Sequence, residues 1–488
     1  MIRKLLTKYN KLSDPVKATF WYTFCNFLNK GIALLTTPIF TRIMSTEQYG
    51  TFAIFQSWFN ILIIFTSLNL FLSSFTKGLI KYKKDRQNFA SSQLSLTTII
   101  TCVFLLIYGI NIDFWTNIFS LPPLLMVAMF AELLAMPAYE LWLAQKRFDY
   151  KYKSVVLLSL SMNIICLATS VIAVLCTDNK VEARAISDVV IKVIFALPLF
   201  LIIFSRGKKV VNFKYWKYAL IFNLPLLPHY LSNFVLTQSD RIMIGQLVGD
   251  TQAGYYSVSY TISTIIMLLI TAINSSLTPY IYKSIDEQNK KQIKTINRVT
   301  NLIATLIALL CAAVMLFAPE VIKVFAGERY LDAIYIIPPV ATSVYFILVY
   351  SVFSNIEYFY QKNKNIAIAT SFCAIVNIAM NYIGIKLFGY YAAGYTTLLC
   401  YVLLAIFHYV FYKKIVRDNM SFIKNKNFYN SKLIFTIGII LCIFTIFITL
   451  IYSIAVIRYI IALVLFLIII VRRKNIMKTI NTLFKEGA

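Results

Sequence analysis

The sequence predicts an all-α polytopic membrane protein with about fourteen transmembrane helices, and three observations support this fold class. Apolar residues make up 59% of the 488 residues and charged residues only 14%, against roughly 45–50% and 25% in soluble globular proteins. Many apolar segments reach the length of about 20 residues that a helix needs to cross a bilayer. The connections between these segments alternate between rich and poor in Lys and Arg, which is typical of loops on opposite sides of a membrane.

The predicted spans follow one another with short connections. Spans 1 to 7 are predicted at 18–43, 49–76, 91–110, 121–145, 154–176, 181–204 and 218–247, and spans 8 to 14 at 254–282, 299–318, 333–360, 366–387, 390–412, 433–452 and 454–471. Span 1 is expected to be a retained helix, because its apolar run is too long for a signal peptide and no small-residue cleavage site follows it. Six prolines inside the spans (38, 137, 198, 225, 228 and 279) are expected to permit kinks.

The net charge of +27 is explained by the predicted membrane topology. The terminal tails and the connections 77–90, 146–153, 205–217, 283–298, 361–365 and 413–432 hold 37 of the 47 basic residues and 7 of the 20 acidic ones, a net +30, and the rest of the chain sums to −3. Basic-rich loops stay in the cytoplasm. We therefore predict an even number of spans and both termini in the cytoplasm, and we exclude nucleic acid as a partner.

Cofactor and metal chemistry is not expected. The eight cysteines lie far apart, none forms a Cys-x-x-Cys pair, and the two histidines are remote from any ligand cluster, so the sequence offers neither a disulfide framework nor a zinc site. The connections are too short, at about twenty residues or fewer, to hold a soluble catalytic domain. The chain is therefore predicted to be a transporter and not an enzyme.

An internal repeat organises the first twelve spans. Thr41-Arg42-Ile43-Met44 at the end of span 1 matches Asp240-Arg241-Ile242-Met243 at the end of span 7, and three further pairs keep the same order: Pro122-Pro123 with Pro338-Pro339, Gln145-Lys146 with Gln361-Lys362, and Asn163-Ile164 with Asn377-Ile378. Six spans are an even number, so the two copies have the same orientation. We predict an N-lobe (1–217), a C-lobe (218–412), and two further helices with a cytoplasmic tail (413–488), and two such lobes indicate alternating access.

Span 1 carries a polar stripe across most of the membrane. Asn26, Lys30 and Thr37 fall on one face at helical spacing, and a charged side chain at the centre of a membrane helix is costly enough to suggest a function. The stripe predicts an aqueous, cationic cavity with Lys30 as a substrate-binding residue and Asn26 and Thr37 as polar lining. One alternative is that the Lys30 side chain extends along the helix so that its ammonium group reaches the membrane–water interface. The other is that Lys30 pairs with a buried acidic residue.

Other mid-membrane cations are predicted to face the same cavity. The repeat places His229 twelve residues before Arg241, as Lys30 stands twelve before Arg42, and Lys192 lies near the middle of span 6. These five cations are the predicted substrate-binding set. The alternatives are a satisfied bundle histidine with Asn233 on its face, interfacial anchoring for the two arginines, and pairing of Lys192 with Asp188 one turn away.

Three acidic residues are candidates for ion coupling. Glu132, Asp188 and Asp240 lie within predicted spans, where a buried carboxyl can load and release a proton. A buried ion pair with one of the cations explains these residues equally well. The ion, H⁺ or Na⁺, is left open.

Two stretches resemble a known family. NFLNKGIALLTTPIFTRIMSTEQYGTFAIFQSW (26–58) resembles the opening of bacterial O-antigen and polysaccharide (lipid-linked oligosaccharide, Wzx-type) flippases. NLPLLPHYLSNFVLTQSDRIMIGQLVGDTQAGYYSVSY (223–260) is similar to the second-half counterpart in that family. These flippases belong to the multidrug/oligosaccharidyl-lipid/polysaccharide exporter superfamily.

The resemblance implies a V-shaped, two-lobe fold and a polyprenyl-diphosphate-linked glycan as the substrate, turned over from the inner to the outer leaflet. It implies a cationic cavity at Lys30, Lys192, Arg42 and Arg241. It also implies a location in the bacterial inner membrane and a place in O-antigen or lipopolysaccharide biosynthesis. Expected partners are membrane lipids, a glycan polymerase and assembly proteins, with the chain as a monomer. A departure is that the mid-depth cations are Lys or His, and Lys lacks the bidentate fork of Arg.

Two other functions are compatible with parts of the pattern. A multidrug or cation antiporter of the same superfamily shares the two-lobe repeat but would favour an acidic cavity, whereas the mid-depth charges here lean positive. An integral-membrane polysaccharide polymerase would need a long outer loop with catalytic Arg or His groups, and the outer loops are short.

Overall fold

The computed structural model describes residues 13–72, 74–422, 428–467 and 470, and all regular secondary structure within them is helical. The first half contains α1 (Asp14–Ile43), α2 (Thr46–Ser67), α3 (Ser74–Lys81), α4 (Arg86–Ile110), α5 (Ile112–Phe119), α6 (Pro123–Phe148), α7 (Tyr152–Leu175), α8 (Lys180–Arg206), α9 (Phe213–Asn223) and α10 (Leu227–Leu247). The second half contains α11 (Asp250–Thr264), α12 (Met267–Asp286), α13 (Lys290–Leu316), α14 (Ala318–Phe325), α15 (Ile337–Phe359), α16 (Asn363–Phe388), α17 (Ala392–Asn419), α18 (Ser431–Leu450) and α19 (Ala455–Leu467).

The predicted fold class is confirmed. Within the described residues, twelve helical segments are long and apolar enough to cross a membrane, and they correspond to predicted spans 2 to 13. Predicted span 1 is the 30-residue helix α1, which is less apolar than the twelve, and α19 lies at predicted span 14. The basic residues of the C-terminal tail from 471 onward lie outside the described residues.

Local sequence signals set the helix boundaries. The side chain of Ser45 accepts a hydrogen bond from the backbone N–H of Gln48, and the Gln48 side chain accepts one from the backbone N–H of Ser45, so α2 begins with a capping box. The Asn289 side chain accepts the backbone N–H of Gln292 at the start of α13. Pro123 occupies the first turn of α6, where its missing N–H costs nothing.

Three predicted spans are interrupted. Span 2 was predicted as one helix over 49–76, but α2 ends at Ser67 because Leu68 and Asn69 adopt left-handed conformations (φ 50° and 48°), and α3 follows. Span 7 passes through a single 3₁₀ turn at Leu224–Leu226, where Pro225 removes a backbone donor. Span 8 is divided between α11 and α12. The breaks at spans 2 and 8 carry no proline, so the sequence pattern did not predict them.

The chain divides into two compact units, with the boundary between Phe234 and Val235. In the first unit α8 packs against α6 and α7, and α1 lies along α7. In the second unit α15 is central and contacts α11, α13, α17 and α18, and 89% of the apolar window of the segment Glu328–Phe359 is buried. The lobe boundaries predicted from the repeat, at 217/218 and 412/413, stay a prediction.

A polar contact fastens the connection between α3 and α4 to α9. The hydroxyl of Tyr215 donates a hydrogen bond to Asp85, the residue that precedes α4. This hydrogen bond holds the pKa of Asp85 below its usual value. The aromatic rings of Tyr82, Phe89 and Tyr215 pack together beside it, so an otherwise polar connection is held against the helices.

Candidate functional site

Lys30 lies in the middle of α1 and is exposed. It follows the start of the helix by sixteen residues and precedes its end by thirteen, so its Cα is about 20 Å or more from either end. Among the described residues Lys30 forms no ion pair or hydrogen bond. Asn26, one turn earlier, is exposed on the same helix. The first part of the predicted polar stripe, which contains Asn26 and Lys30, is therefore exposed on the surface of α1.

The other half of the stripe is packed inside the unit. Thr37 is only 3% exposed, and its hydroxyl oxygen lies 3.5 Å from the hydroxyl oxygen of Tyr49 on α2. Arg42 is exposed and donates from Nη1 to the carbonyl oxygen of Pro38 at 3.2 Å. Nδ2 of Asn163 on α7 donates to Oδ1 of Asn29 on α1 at 2.9 Å, and this hydrogen bond links the two helices.

Lys192 forms an ion pair across two helices. Its Nζ lies 2.7 Å from Oε1 of Glu132 on α6, and the two side chains are 18% and 1% exposed. The ring of Phe59 lies 5.7 Å from the same Nζ. Because Glu132 compensates its charge, Lys192 adds no net positive charge in this structure. Oε2 of Glu132 is buried and has no hydrogen-bond partner among the described residues.

Asp188 has a different partner from the one considered for it. The hydroxyl of Ser170 on α7 donates to its Oδ1 at 2.6 Å, and Lys192, one turn away on α8, is paired with Glu132 instead. The carboxyl thus links α7 to α8.

An aromatic box around Arg184 was not anticipated. The guanidinium carbon of Arg184 on α8 lies 3.7 Å from the ring centroid of Phe40 and 3.6 Å from that of Phe52, with Tyr49 at 5.5 Å. Arg184 is only 6% exposed. Cation–π contacts of this kind stabilise a desolvated guanidinium. Because the three rings come from α1 and α2, distant in sequence from Arg184, only the packing of the helices reveals the box.

His229 and Asn233 lie near the start of α10. The Nε2 of His229 lies 3.2 Å from Nδ2 of Asn233. His229 is half-buried and Asn233 is exposed. This one-turn contact matches the shared face that the sequence spacing indicated.

Asp240, on the other half of α10, lies in the second unit and is fully buried. Nδ2 of Asn381 donates to Asp240 Oδ1 at 2.5 Å and the hydroxyl of Thr397 donates to Oδ2 at 3.0 Å. The hydroxyl of Tyr256 also donates to Oδ2. Three donors from three other helices thus surround one carboxyl, and we call this group the Asp240 cage. Sequence analysis found Asp240 but none of the three donors.

Arg241 is not among the hydrogen-bond donors to Asp240 in the described structure. Its Nη1 donates to the carbonyl oxygen of Thr237 and to Oε1 of Gln238, both at 2.8 Å, and its guanidinium lies 4.5 Å from the ring of Tyr260. It is 7% exposed. Its hydrogen-bond partners therefore lie within one turn of α10, and its aromatic contact comes from α11.

Glu357 and His408 form a second buried pair in this unit. Oε1 of Glu357 on α15 lies 2.6 Å from Nδ1 of His408 on α17, and neither side chain is exposed. The remaining carboxyl oxygen and ring nitrogen have no partner among the described residues. In the sequence the two residues lie far apart in apolar runs, so nothing in the sequence indicated that they form a pair.

The predicted cavity set is distributed over both units. The first unit holds Lys30, Arg42, Lys192 and His229, and the second holds Arg241 and the Asp240 cage. Within the units, the structure brings together Lys192 with Glu132 and Asp240 with its three donors. That these residues bind substrate or couple ions stays a prediction. In the described part of the chain no group of three or more His, Cys, Asp or Glu residues could hold a metal ion.

Comparisons with known proteins agree with this architecture. Residues 16–285, more than half of the chain, match the family described as polysaccharide biosynthesis protein, and residues 225–383 match the MatE family. A protein of the Lsg locus of Haemophilus influenzae is 24% identical over 367 residues, which cover 72% of this chain and 86% of that protein.

Two solved structures share the fold. The lipid II flippase MurJ in an inward closed conformation has a TM-score of 0.68 at 13% identity, covering 93% of this chain and 99% of that chain. An inward-facing multidrug resistance MATE family transporter has a TM-score of 0.63 at 14% identity, covering 80% and 96%. At these identities the likeness shows the fold alone.

Proposed function

The chain belongs to the polysaccharide biosynthesis protein family, among the transporters of the multidrug/oligosaccharidyl-lipid/polysaccharide exporter superfamily, and on this premise we propose that it is a flippase for a polyprenyl-diphosphate-linked oligosaccharide. The glycan, an O-antigen or similar repeat unit, would pass from the cytoplasmic to the outer leaflet of the bacterial inner membrane by alternating access. No covalent bond is made or broken in this proposal. The polyprenyl tail would stay in lipid while the diphosphate and sugars cross.

Lys30 is the observation that carries the proposal. A charged side chain at the centre of a membrane helix costs about 2.5–3.5 kcal/mol on insertion scales, and such groups normally pair or face water. Lys30 is exposed in the middle of α1 and has no partner among the described residues. An ammonium held there needs a hydrated cavity and is suited to bind a diphosphate, for which Lys acts as a point charge. Arg42 is the further exposed cation of the predicted set.

The Asp240 cage supports a role in ion coupling. An ionisable group inside the membrane with specific partners is a functional candidate, and Asp240 is fully buried with donors from three other helices. We propose that binding of H⁺ or Na⁺ at Asp240 drives the return of the empty transporter. Glu132 and Asp188 are lesser candidates, since Lys192 compensates the charge of Glu132 and Asp188 is only half-buried.

The test is complementation of a strain that lacks its O-antigen flippase, with surface glycan as the readout. Lys30→Ala is expected to reduce surface glycan about tenfold or more, because a charge-assisted contact to phosphate contributes about 1.5–3 kcal/mol. Lys30→Arg keeps the charge and is expected to retain most of the activity. Membrane levels of both variants are measured alongside.

A second assay follows the substrate directly. In proteoliposomes, wild-type protein is expected to expose a labelled polyprenyl-diphosphate glycan to a membrane-impermeant reagent, and Lys30→Ala to do so slowly. Full complementation by Lys30→Ala at normal membrane levels would remove Lys30 from the site. Failure of the wild-type protein to move any lipid-linked glycan would refute the proposed function.

A multidrug or cation antiporter is the second candidate, favoured by the match of residues 225–383 to the MatE family. Expression in a drug-sensitive strain separates the two. The flippase proposal predicts no change in resistance to cationic drugs, whereas an antiporter would raise it.

A glycan polymerase and assembly proteins are the proposed partners of a monomeric flippase, and affinity capture from cross-linked membranes would identify them.

A further inference from the structure

A basic cavity opens in the second unit, and none of its lining residues belongs to the predicted substrate site. Its volume is about 550 Å³, within the roughly 300–1,000 Å³ of pockets that hold small ligands. We call it the basic cavity, and its lining residues are Lys294, Asn297, Arg298, Asn301, Tyr409, Lys413, Tyr429, Asn430, Ser431 and Lys432.

Three helices build the basic cavity. The residues from α13 (294, 297, 298 and 301) have the i, i+3, i+4, i+7 spacing of a single helix face. Tyr409 and Lys413 lie one turn apart on α17. The remaining residues, 429–432, lead into α18. The backbone N–H of Asn430 donates to Asn297 Oδ1 at 3.2 Å, which ties the start of α18 to α13.

The charge of the basic cavity is uncompensated. Its cations are Lys294, Arg298, Lys413 and Lys432, and none of the ten lining residues is acidic. All four cations are exposed, and within the described part of the chain none of them forms an ion pair. Four like charges around one cavity repel one another, so an anion bound among them would be stabilised.

Backbone and side-chain groups add to this preference. The N-terminus of α18, capped by Asn430, lies at the basic cavity, and the N-terminus of a helix favours anions. Two lining side chains also keep unsatisfied atoms: the Tyr429 hydroxyl and Asn301 Oδ1 are buried and have no hydrogen-bond partner among the described residues. Neither atom is open to solvent, so a ligand satisfies them when their side chains turn toward the cavity. A tyrosine hydroxyl then donates to a phosphate oxygen, and an amide oxygen accepts from a ligand hydroxyl group.

The location of the basic cavity indicates where such a ligand comes from. Lys294 and Arg298 lie in the first turns of α13, and Lys413 lies in the last turns of α17, so the cavity is at the ends of apolar membrane segments. The connections 283–298 and 413–432 belong to the basic-rich set predicted to face the cytoplasm. Lipid phosphates lie at this depth, and basic pockets between membrane helices on the cytoplasmic side bind anionic headgroups.

We propose that the basic cavity is a binding site for the phosphate-bearing headgroup of an anionic phospholipid. The four cations and the start of α18 hold the phosphate, while the acyl chains remain in the bilayer. The site shares no residue with the substrate site proposed at Lys30, so it does not depend on the flippase proposal. Soluble inorganic phosphate is the other source of the same chemistry.

Native mass spectrometry of the full-length protein in neutral detergent tests this site, with phosphatidylglycerol as the probe. The cavity variant is Lys294→Gln/Arg298→Gln/Lys413→Gln. The control variant is Lys290→Gln/Lys362→Gln/Lys364→Gln, which removes the same charge from exposed positions on the same predicted side of the membrane but outside the cavity lining. We expect the cavity variant to bind one phosphatidylglycerol fewer, with its affinity lowered about tenfold or more, and the control to bind like wild type.

Each other outcome overturns the proposal. Equal loss in both variants would mean a general attraction of anionic lipid to a basic surface. Equal binding of phosphatidylcholine by wild-type protein would mean that the lipid charge is not recognised. Complete displacement of phosphatidylglycerol by excess inorganic phosphate would assign the cavity to free phosphate.

Tyr429→Phe provides a test that does not alter charge. Without lipid, this variant is expected to unfold at the same temperature as wild type or slightly above it, because it removes a buried hydroxyl that has no partner. With phosphatidylglycerol, wild type is expected to gain more thermal stability than Tyr429→Phe. An equal gain would exclude the hydroxyl from the site, and unchanged binding by the cavity variant would by itself refute the proposal.

Discussion

The charged residues inside this transporter differ chiefly in whether their charge is compensated. Lys30 is exposed and has no partner among the described residues, whereas Lys192 is held by Glu132 at 2.7 Å. Both are lysines in the middle of predicted spans, so their positions in the sequence do not distinguish them. The difference follows from the neighbouring helix, because α6 presents a carboxylate to α8 and no helix presents one to Lys30 in the described structure.

The ion pair of Lys192 leads to a stability prediction. Glu132→Leu leaves the ammonium largely buried without its counter-charge, so we expect the free energy of unfolding to fall by about 3 kcal/mol or more. The double variant Glu132→Leu/Lys192→Met is expected to recover most of that loss, because it removes both members of the ion pair. Thermal or denaturant unfolding of the purified protein in detergent measures both.

Asp188→Asn is the matched control for this experiment. It lies one turn from Lys192 and can still accept the hydrogen bond of Ser170, so its effect is expected to stay below about 1 kcal/mol. A Glu132→Leu variant as stable as wild type would show that the ion pair has no structural role.

The Asp240 cage leads to a functional prediction. Asp240→Asn keeps the size of the side chain but removes the negative charge, so we expect substrate movement to lose its dependence on an imposed gradient while slow equilibration continues. Proteoliposomes with an imposed H⁺ gradient or an imposed Na⁺ gradient measure this and identify the ion. Unchanged gradient dependence in Asp240→Asn, or none in the wild-type protein, would refute coupling at this residue.

At the scale of elements, helices in the first unit approach closely at small residues. Gly78 on α3 faces the ring of Phe89 on α4, and a Cβ added at Gly78 would stand 2.2 Å from Phe89 Cζ. Phe89 is fully buried and contacts Phe75 and Tyr215, so it has little room to move. The sequence shows Gly78 merely as one glycine near a basic loop, and the packing gives it a structural role.

Gly78→Ala is therefore expected to destabilise the protein by about 1–3 kcal/mol through overpacking. Gly31→Ala is the matched control, because a Cβ at this position of α1 would meet nothing within 4 Å. At this half-buried position in the helix interior, alanine is expected to raise stability by up to about 1 kcal/mol. Unfolding midpoints in detergent compare the two, and equal destabilisation by both variants would show that the close approach to Phe89 does not decide the outcome.

The breaks within predicted spans also belong to this scale. At Leu224–Leu226 the interruption coincides with Pro225, which a sequence pattern can flag. At Leu68 and Asn69 the chain turns through left-handed conformations without glycine or proline. A hydropathy window averages across such a turn, and for this reason the prediction joined α2 and α3 into one span.

At the scale of the whole molecule, the charge asymmetry leads to a topology prediction. The net +30 on one set of connections predicts that both termini lie in the cytoplasm. A green fluorescent protein fused to the C-terminus is expected to fluoresce, and alkaline phosphatase fused there to be inactive. Alkaline phosphatase fused after Asp178, in the connection between α7 and α8, is expected to be active. The opposite pattern at either position would overturn the predicted orientation.

Composition and local periodicity determined the fold class and the approximate spans, because membrane insertion depends on runs of neighbouring residues. The resemblance to a flippase family rests on two stretches of the sequence, 26–58 and 223–260. Only the tertiary structure decided which charges are compensated. Glu132 and Lys192 are sixty residues apart, and Asn381 and Thr397 lie 141 and 157 residues beyond Asp240. Such contacts depend on which helices pack together and on which faces, and no pattern along a single helix records that.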